Sequence, residues 1–259
     1  MSYLKESLET LHTHANDFRR KALQQILLPL IPGQKILDVG CGMGFMTAAL
    51  ASQGRAVVAV DILYDYVAFA VRQTSSAPHP ARGVIFMGEP LPFTDQSFDT
   101  IICLDVIEHV ENDRTLLVDF GRLLRPNGTL VVTVPALQAL YGQRDVALGH
   151  HRRYNKSQLL ERLTVAGFDI NQLNYWNILG VGPYFVSERV FKRQLPDNIR
   201  QGQPTPWRKL AGDLLCQWLL FEKHLPLPFG LSLIALARKP TKNFACQEPG
   251  NLLNSPPVP

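Results

Sequence analysis

Apolar positions along this chain fall into two alternating patterns. Short runs rich in Val, Ile and Leu recur at about 35–40, 56–62, 84–88, 98–105 and 128–134. Their continuous apolar character suits strands buried on both faces of a parallel sheet. Between them lie helix-length stretches, near 45–53, 64–73, 112–124 and 156–166, where apolar residues return every three or four positions. A leading helix is expected over Asn16 to Leu30, with Phe18, Ala22, Ile26 and Leu30 on one face and Pro32-Gly33 ending it. Alternation of this kind predicts an α/β fold with a doubly wound sheet. Phe168 to Trp176 and Leu231 to Arg238 read as two further strands. The 178–230 stretch between them is too long to be structureless in a compact domain, so it is expected to hold helices of its own. One is the amphipathic Trp207 to Leu220 segment, with Leu210, Leu214, Trp218 and Phe221 at helical spacing. Past Pro240 the pattern stops and prolines accumulate, so 241–259 is expected to be a disordered tail.

The first strand leads into KILDVGCGMG, Lys35 to Gly44, where an acidic residue precedes glycines at every second position. Gly40, Gly42 and Gly44 let the backbone turn sharply and approach a ligand with no Cβ in the way. A dinucleotide fingerprint would place its third glycine one position later. Met43 and Phe45 here disfavour a phosphate cradle, whereas Asp38 suits a ligand bearing an amino group. Asp61 ends the second strand, about 20 positions beyond Gly40, where a carboxylate accepts hydrogen bonds from ribose hydroxyls. An acidic cap for the helix beginning near Tyr64 is the structural alternative.

These residues resemble the cofactor loop of class I S-adenosylmethionine-dependent methyltransferases, and the likeness covers roughly 16–176 and 231–240. The resemblance implies a Rossmann-like, seven-stranded sheet closed by an antiparallel pair, with a helical insertion before the last strand. The expected organisation is an N-terminal helical segment at 1–33, a catalytic domain at 34–177 and 231–240, and the insertion at 178–230. It implies S-adenosyl-L-methionine as cofactor, with S-adenosyl-L-homocysteine as product. Asp38, Gly40, Cys41, Gly42, Gly44, Asp61, Ile62, Leu104 and Asp105 are the expected cofactor contacts. MGEPLPF, Met87 to Phe93, resembles the family's adenine loop and adds Glu89.

SFDTIICLDVIEHV, Ser97 to Val110, resembles the fourth strand of small-molecule methyltransferases. The Asn- or Asp-Pro-Pro-aromatic motif of base and amide methylation is absent from it. Three readings of Asp105, Glu108 and His109 stand: His109 as a general base on a hydroxyl, the three side chains as ligands of a divalent ion, or structure alone. The metal reading follows the similar E-x-x-E-H stretch of ubiquinone-pathway O-methyltransferases, from which Asp105 departs. Beyond the fifth strand, Asp145, Ala147, Gly149, His150, Arg152, Arg153 and Tyr154 form a D-x-A-x-G-H-x-R-R-Y stretch that resembles a subset of bacterial methyltransferases. His150 and Tyr154 are expected near the chemistry. Asp145, Arg152 and Arg153 are expected on substrate, the arginines pairing with a carboxylate or phosphate.

Composition narrows the setting. With 259 residues and 46% hydrophobic content, the chain can bury one large core. Four cysteines without paired spacing fit a reducing compartment and no zinc framework. No secretory signal or membrane-spanning run is visible, so a cytoplasmic protein is expected. Basic residues gather between Ser187 and Leu210, beside the amphipathic helix. That leaves a packed helix, a substrate lid and a peripheral contact with the inner face of a membrane all open. Nucleic-acid binding is disfavoured, because the basic residues are few and lack an aromatic stacking platform. The expected function is methyl transfer to oxygen of a small, apolar or lipid-linked acceptor. N- or C-methylation of a specialised metabolite, or a non-catalytic methyltransferase-like binding subunit, are the alternatives.

Overall fold

The structure, a computed structural model, describes residues 18–187 and 206–241. All but the first residue of the expected tail at 241–259, and the first residues of the leading helix, lie outside the described residues.

Seven strands form one sheet: β1 (Lys35–Val39), β2 (Ala56–Asp61), β3 (Arg82–Ile85), β4 (Phe98–Leu104), β5 (Leu124–Pro135), β6 (Asp169–Trp176) and β7 (Ser232–Arg238). Their order across the sheet is β3-β2-β1-β4-β5-β7-β6. β1 to β5 run parallel, and β7 is antiparallel to both β5 and β6. The order reverses between β1 and β4, and the carboxyl ends of these neighbours open the crevice where doubly wound sheets take ligands.

The helices are α1 (Phe18–Leu27), α2 (Phe45–Ser52), α3 (Tyr64–Gln73), α4 (Asp113–Leu123), α5 (Gln143–Ala147), α6 (Lys156–Val165), α7 (Val181–Phe185) and α8 (Pro206–Glu222). Two apolar layers sandwich the sheet. Leu116, Leu117, Phe120, Leu159 and Leu163 of α4 and α6 cover one face. Ala22, Leu23, Ile26, Met46 and Leu50 of α1 and α2, joined by Cys216 and Leu219 of α8, cover the other. α1 gives way to a 3-10 turn at Leu28–Leu30, because Pro29 has no N–H to continue the helix.

Two strands differ from the sequence reading. β3 occupies 82–85 rather than 84–88, since it pairs only with β2 and its pairing ends where Asp61 meets Ile85. β5 begins at Leu124 rather than 128. Pro126-Asn127-Gly128 looks like a turn, but the structure absorbs it as an irregularity within the strand, with Asn127 N–H donating to the Lys239 carbonyl at 3.0 Å.

Candidate active site

The glycine turn after β1 is held by the Gly40 and Cys41 amides, which both donate to the Val60 carbonyl, at 2.8 and 2.9 Å. Its three glycines all have positive φ, +68°, +49° and +70°. A Cβ on Gly40 would stand 2.2 Å from Val106 Cγ2, and one on Gly44 would stand 2.4 Å from Ala70 Cβ. A Cβ on Gly42 would meet nothing within 4 Å. The outer glycines therefore permit packing, while the middle one borders open space at the crevice. Asp61 ties the turn to β2: Oδ2 accepts from the Gly42 amide at 2.9 Å and Oδ1 from the Leu63 amide at 3.1 Å.

Asp38 is buried at the end of β1, and its Oδ2 accepts from the Thr47 hydroxyl at 2.5 Å. Burial lifts its carboxyl to about 7, with Thr47 opposing the rise and Asp61 adding to it. Burial and the same two carboxylates push the Cys41 thiol up. Ile62 is exposed beyond β2, and Leu104 is half-buried at the end of β4. Glu89 is exposed, and partial desolvation followed by Asp119 raises its carboxyl.

Asp105 follows β4 with φ +54°. Its oxygens accept from Thr133 Oγ1 at 3.0 Å and Arg19 Nη2 at 3.4 Å. Val106, packed on Gly40, leads into a 3-10 turn at Ile107–His109 that carries Glu108 and His109. The His109 ring meets His150 edge to face, with centroids 4.6 Å apart. Desolvation and His150 lower the His109 pKa, opposed by a hydrogen bond with the Gly149 backbone. His150 Nδ1 lies 2.8 Å from Asp145 Oδ1, which leaves Nε2 as its outward nitrogen. One donor atom each of Glu108, His109 and His150 lie within 4.8 Å of one another. Glu108 is buried, and neither of its carboxylate oxygens has a hydrogen-bond partner among the described residues. Burial, then Asp105, push its carboxyl well above the usual range.

Asp145 organises this side of the crevice from a fully buried position. Besides His150, it accepts from Arg153 Nε at 2.8 and 2.9 Å, from Tyr184 Oη at 3.0 Å and from the Gly142 amide at 3.1 Å. Burial opposes ionisation, but these donors win and hold the carboxyl below its usual range. Arg153 also stacks over the Tyr184 ring at 4.3 Å, joining the 136–154 loop to α7.

The D-x-A-x-G-H-x-R-R-Y stretch thus differs from the substrate-facing array read from sequence. Arg153 is buried on Asp145 and the Ala136 carbonyl. Arg152 is engaged by Asp113 at 3.1 Å and the Glu111 carbonyl at 2.7 Å. The Tyr154 hydroxyl donates to Asp113 Oδ2 at 2.7 Å inside the core, and burial with that carboxylate pushes its pKa up. These three residues and Asp145 hold the loop, and His150 is the member they present. Asp105 also stands outside the Glu108, His109 and His150 cluster. Sequence reasoning missed Arg19, which spans Asp105, Ser232 Oγ at 3.0 Å and the face of Trp176 at 5.5 Å. A lone arginine on a helix gives no sequence signal of that reach.

Residues 37–132 match the family model described as Methyltransferase domain. A "Probable S-adenosylmethionine-dependent methyltransferase" of Mycolicibacterium smegmatis is 30% identical over 155 residues, 59% of this chain and 58% of the relative. The mitochondrial ubiquinone biosynthesis O-methyltransferase of Schizosaccharomyces pombe is 32% identical over 124 residues, 46% of this chain and 44% of the relative. The chain thus spans about half the length of these curated relatives. Among solved structures, phosphoethanolamine N-methyltransferase 2 of Haemonchus contortus bound to S-adenosyl-L-methionine aligns with TM-score 0.60 and 18% identity, covering 90% of this chain and 57% of that one. The [4+2]-cyclase SpnF aligns with TM-score 0.55 and 23% identity, covering 86% and 81%. Both likenesses concern the fold.

Proposed function

We propose that this chain is a class I S-adenosylmethionine-dependent methyltransferase that moves the methyl group of that cofactor to an oxygen of a small, apolar or lipid-linked acceptor, a reading supported by the methyltransferase-domain match over 37–132 and by the relatives of that name. The cofactor is S-adenosyl-L-methionine and the product S-adenosyl-L-homocysteine. The residues fit it. Asp38 is a buried carboxylate beside the open side of the glycine turn, where an ammonium group restores its charge. Asp61 takes the ribose hydroxyls, and Ile62, Glu89 and Leu104 border the adenine. Bound, the cofactor supplies an electrophilic methyl carbon whose sulfur leaves as a neutral thioether.

The observation that carries the oxygen reading is the histidine pair one short turn beyond Val106. A hydroxyl is a weak nucleophile until its proton has somewhere to go. His109, with its pKa held down, is neutral near neutrality and has a lone pair for that proton. His150, fixed through Nδ1 by Asp145, sets the orientation of the pair. In that role an imidazole nitrogen of His109 would take the proton of the acceptor hydroxyl. Relatives named ubiquinone biosynthesis O-methyltransferases favour oxygen. An N-methyltransferase and a cyclase share the fold, so the fold alone does not fix the acceptor atom or the reaction.

The test is transfer of a radiolabelled methyl group into a host cell extract, partitioned between organic solvent and water. Organic-phase label supports the reading. Label only in water replaces the apolar acceptor with a polar one, and no label with intact cofactor binding leaves a binding subunit.

The orphaned Glu108 carboxylate favours a second reading, in which Glu108, His109 and His150 hold a divalent cation. Such an ion would lower the pKa of an acceptor hydroxyl. Under this reading, calorimetry detects manganese or magnesium binding that Glu108→Gln abolishes, and chelation stops turnover. Turnover unchanged by chelation returns the proton to His109.

A further inference from the structure

The helix α8 is amphipathic in the opposite sense to an ordinary surface helix. Its inward side is narrow and mixed: Cys216 and Leu219 are buried against α1, and Glu222 is buried on the Asn177 and Ile178 amides. Trp207, Leu210, Leu214, Trp218 and Phe221 are exposed among the described residues, Trp207 at 80% and Leu214 at 63%. Their spacing of three and four places all five on one side of the helix. A contiguous apolar face of this size marks a surface that meets something other than water.

The face is rigidly presented. Trp176 Nε1 donates to the Leu219 carbonyl at 3.0 Å, and Glu222 Oε2 accepts from the Asn177 and Ile178 amides at 2.6 and 3.2 Å. Its opposite side leads to the candidate active site, since Arg19 covers the Trp176 ring and reaches Asp105.

Charge identifies the occupant. In the sequence leading into α8, whose residues 188–205 lie outside the described residues, Arg189, Lys192, Arg193, Arg200, Arg208 and Lys209 are offset only by Glu188 and Asp197, a surplus equal to the whole chain's net charge of +4. Lys209 and Lys223 are exposed towards the two ends of the helix. A second copy of the chain would bring two such basic stretches together, whereas an anionic surface neutralises them. Tryptophan favours the boundary between headgroups and acyl chains. No helix among the described residues is long and apolar enough to cross a membrane.

We propose that α8 is a membrane foot that lies in the headgroup layer of an anionic bilayer, apolar face down. The proposal deepens the reading of an apolar or lipid-linked acceptor, because the same bilayer would hold that acceptor beside the crevice. The experiment scores binding without turnover, so its failure is separate from failure of methyl transfer. The full chain is sedimented with vesicles of phosphatidylcholine alone and of phosphatidylcholine mixed with phosphatidylglycerol, at low and high salt. The expected result is pelleting with the anionic vesicles that weakens with salt. In a variant carrying Trp207→Ser, Leu214→Ser and Phe221→Ser, partition falls at least about tenfold, with S-adenosyl-L-homocysteine affinity unchanged as the check on folding. Equal partition of variant and parent, or no binding to anionic vesicles, overturns the proposal. So does a dimer in equilibrium sedimentation that the variant converts to monomer.

Discussion

Gly42 and Gly44 stand two positions apart with similar backbone angles, yet a methyl group added to each meets different surroundings. Gly44→Ala drives its Cβ into Ala70 and also carries the left-handed penalty of about 1–2 kcal/mol per residue. Urea unfolding should show that penalty plus about 1–3 kcal/mol of overpacking. Gly42→Ala carries only the backbone strain and places its methyl in the crevice, so calorimetry should show cofactor affinity falling more than stability does. Equal losses at both positions would remove Gly42 from the ligand surface. Asp61→Ala should cost about 1.5–3 kcal/mol of cofactor affinity for each charged hydrogen bond lost; unchanged affinity refutes the ribose assignment. His109→Ala should slow turnover by about 10²–10⁴-fold and leave the cofactor dissociation constant in place, and normal turnover excludes it as the base. The positions of Asp38 and Asp61 were legible in the sequence because strand ends are. Arg152, Arg153 and Tyr154 were misread because polarity just past a strand suggests a ligand surface. A buried carboxylate such as Asp145 or Asp113 that claims such groups is visible only in three dimensions.

At the scale of elements, hydrophobic periodicity carried most of the sheet, since strands buried on both faces have nothing but apolar residues to offer. It failed where neighbours decide: β3 stops with its partner, and β5 runs through a Pro-Asn-Gly stretch because Lys239, just past β7, exchanges backbone hydrogen bonds with Asn127 and Gly128. The Phe98-Asp99 part of the fourth-strand motif proved architectural. Asp99 sits at the far end of β4 from the crevice and accepts from the Gln34 and Lys35 amides, each at 2.9 Å, fixing the entry to β1. The α8 periodicity was legible, but which side it buries was not, because both sides offer apolar residues. Leu219→Ala opens a cavity between α8, α1 and Trp176. It should destabilise the fold by about 2–5 kcal/mol, measured by urea unfolding. A change under about 0.5 kcal/mol would mean that α8 is not part of the cooperative core.

Across the whole molecule, its buried carboxyls pull stability in opposite directions with pH. Asp38 titrates near 7 in the fold against an ordinary value of 3.8, and Glu108 is shifted the same way. Their neutral forms favour the folded state, so that contribution is complete below the ordinary carboxyl value and is lost as pH rises through the folded one. Asp145 and Asp99 are shifted down despite burial, so their contribution is present above the ordinary value and is lost as pH falls through the folded one. Scanning calorimetry of the ligand-free protein should give a lower melting temperature at about pH 8 than at about pH 6, with Asp38→Asn flattening that limb. A melting temperature that rises over this interval would refute the account. Cofactor binding should release a proton below about pH 7, because the ammonium group draws Asp38 back to its ionised form. The sheet order carries one more consequence. Among the described residues, β7, the strand latest in sequence, lies between β5 and β6, and β6 pairs with no other strand. Because β6 is joined to the sheet through β7 alone, its ladder cannot form until Ser232–Arg238 has been synthesised. A chain halted before Ser232 would keep its glycine turn but leave β5 and β6 unjoined.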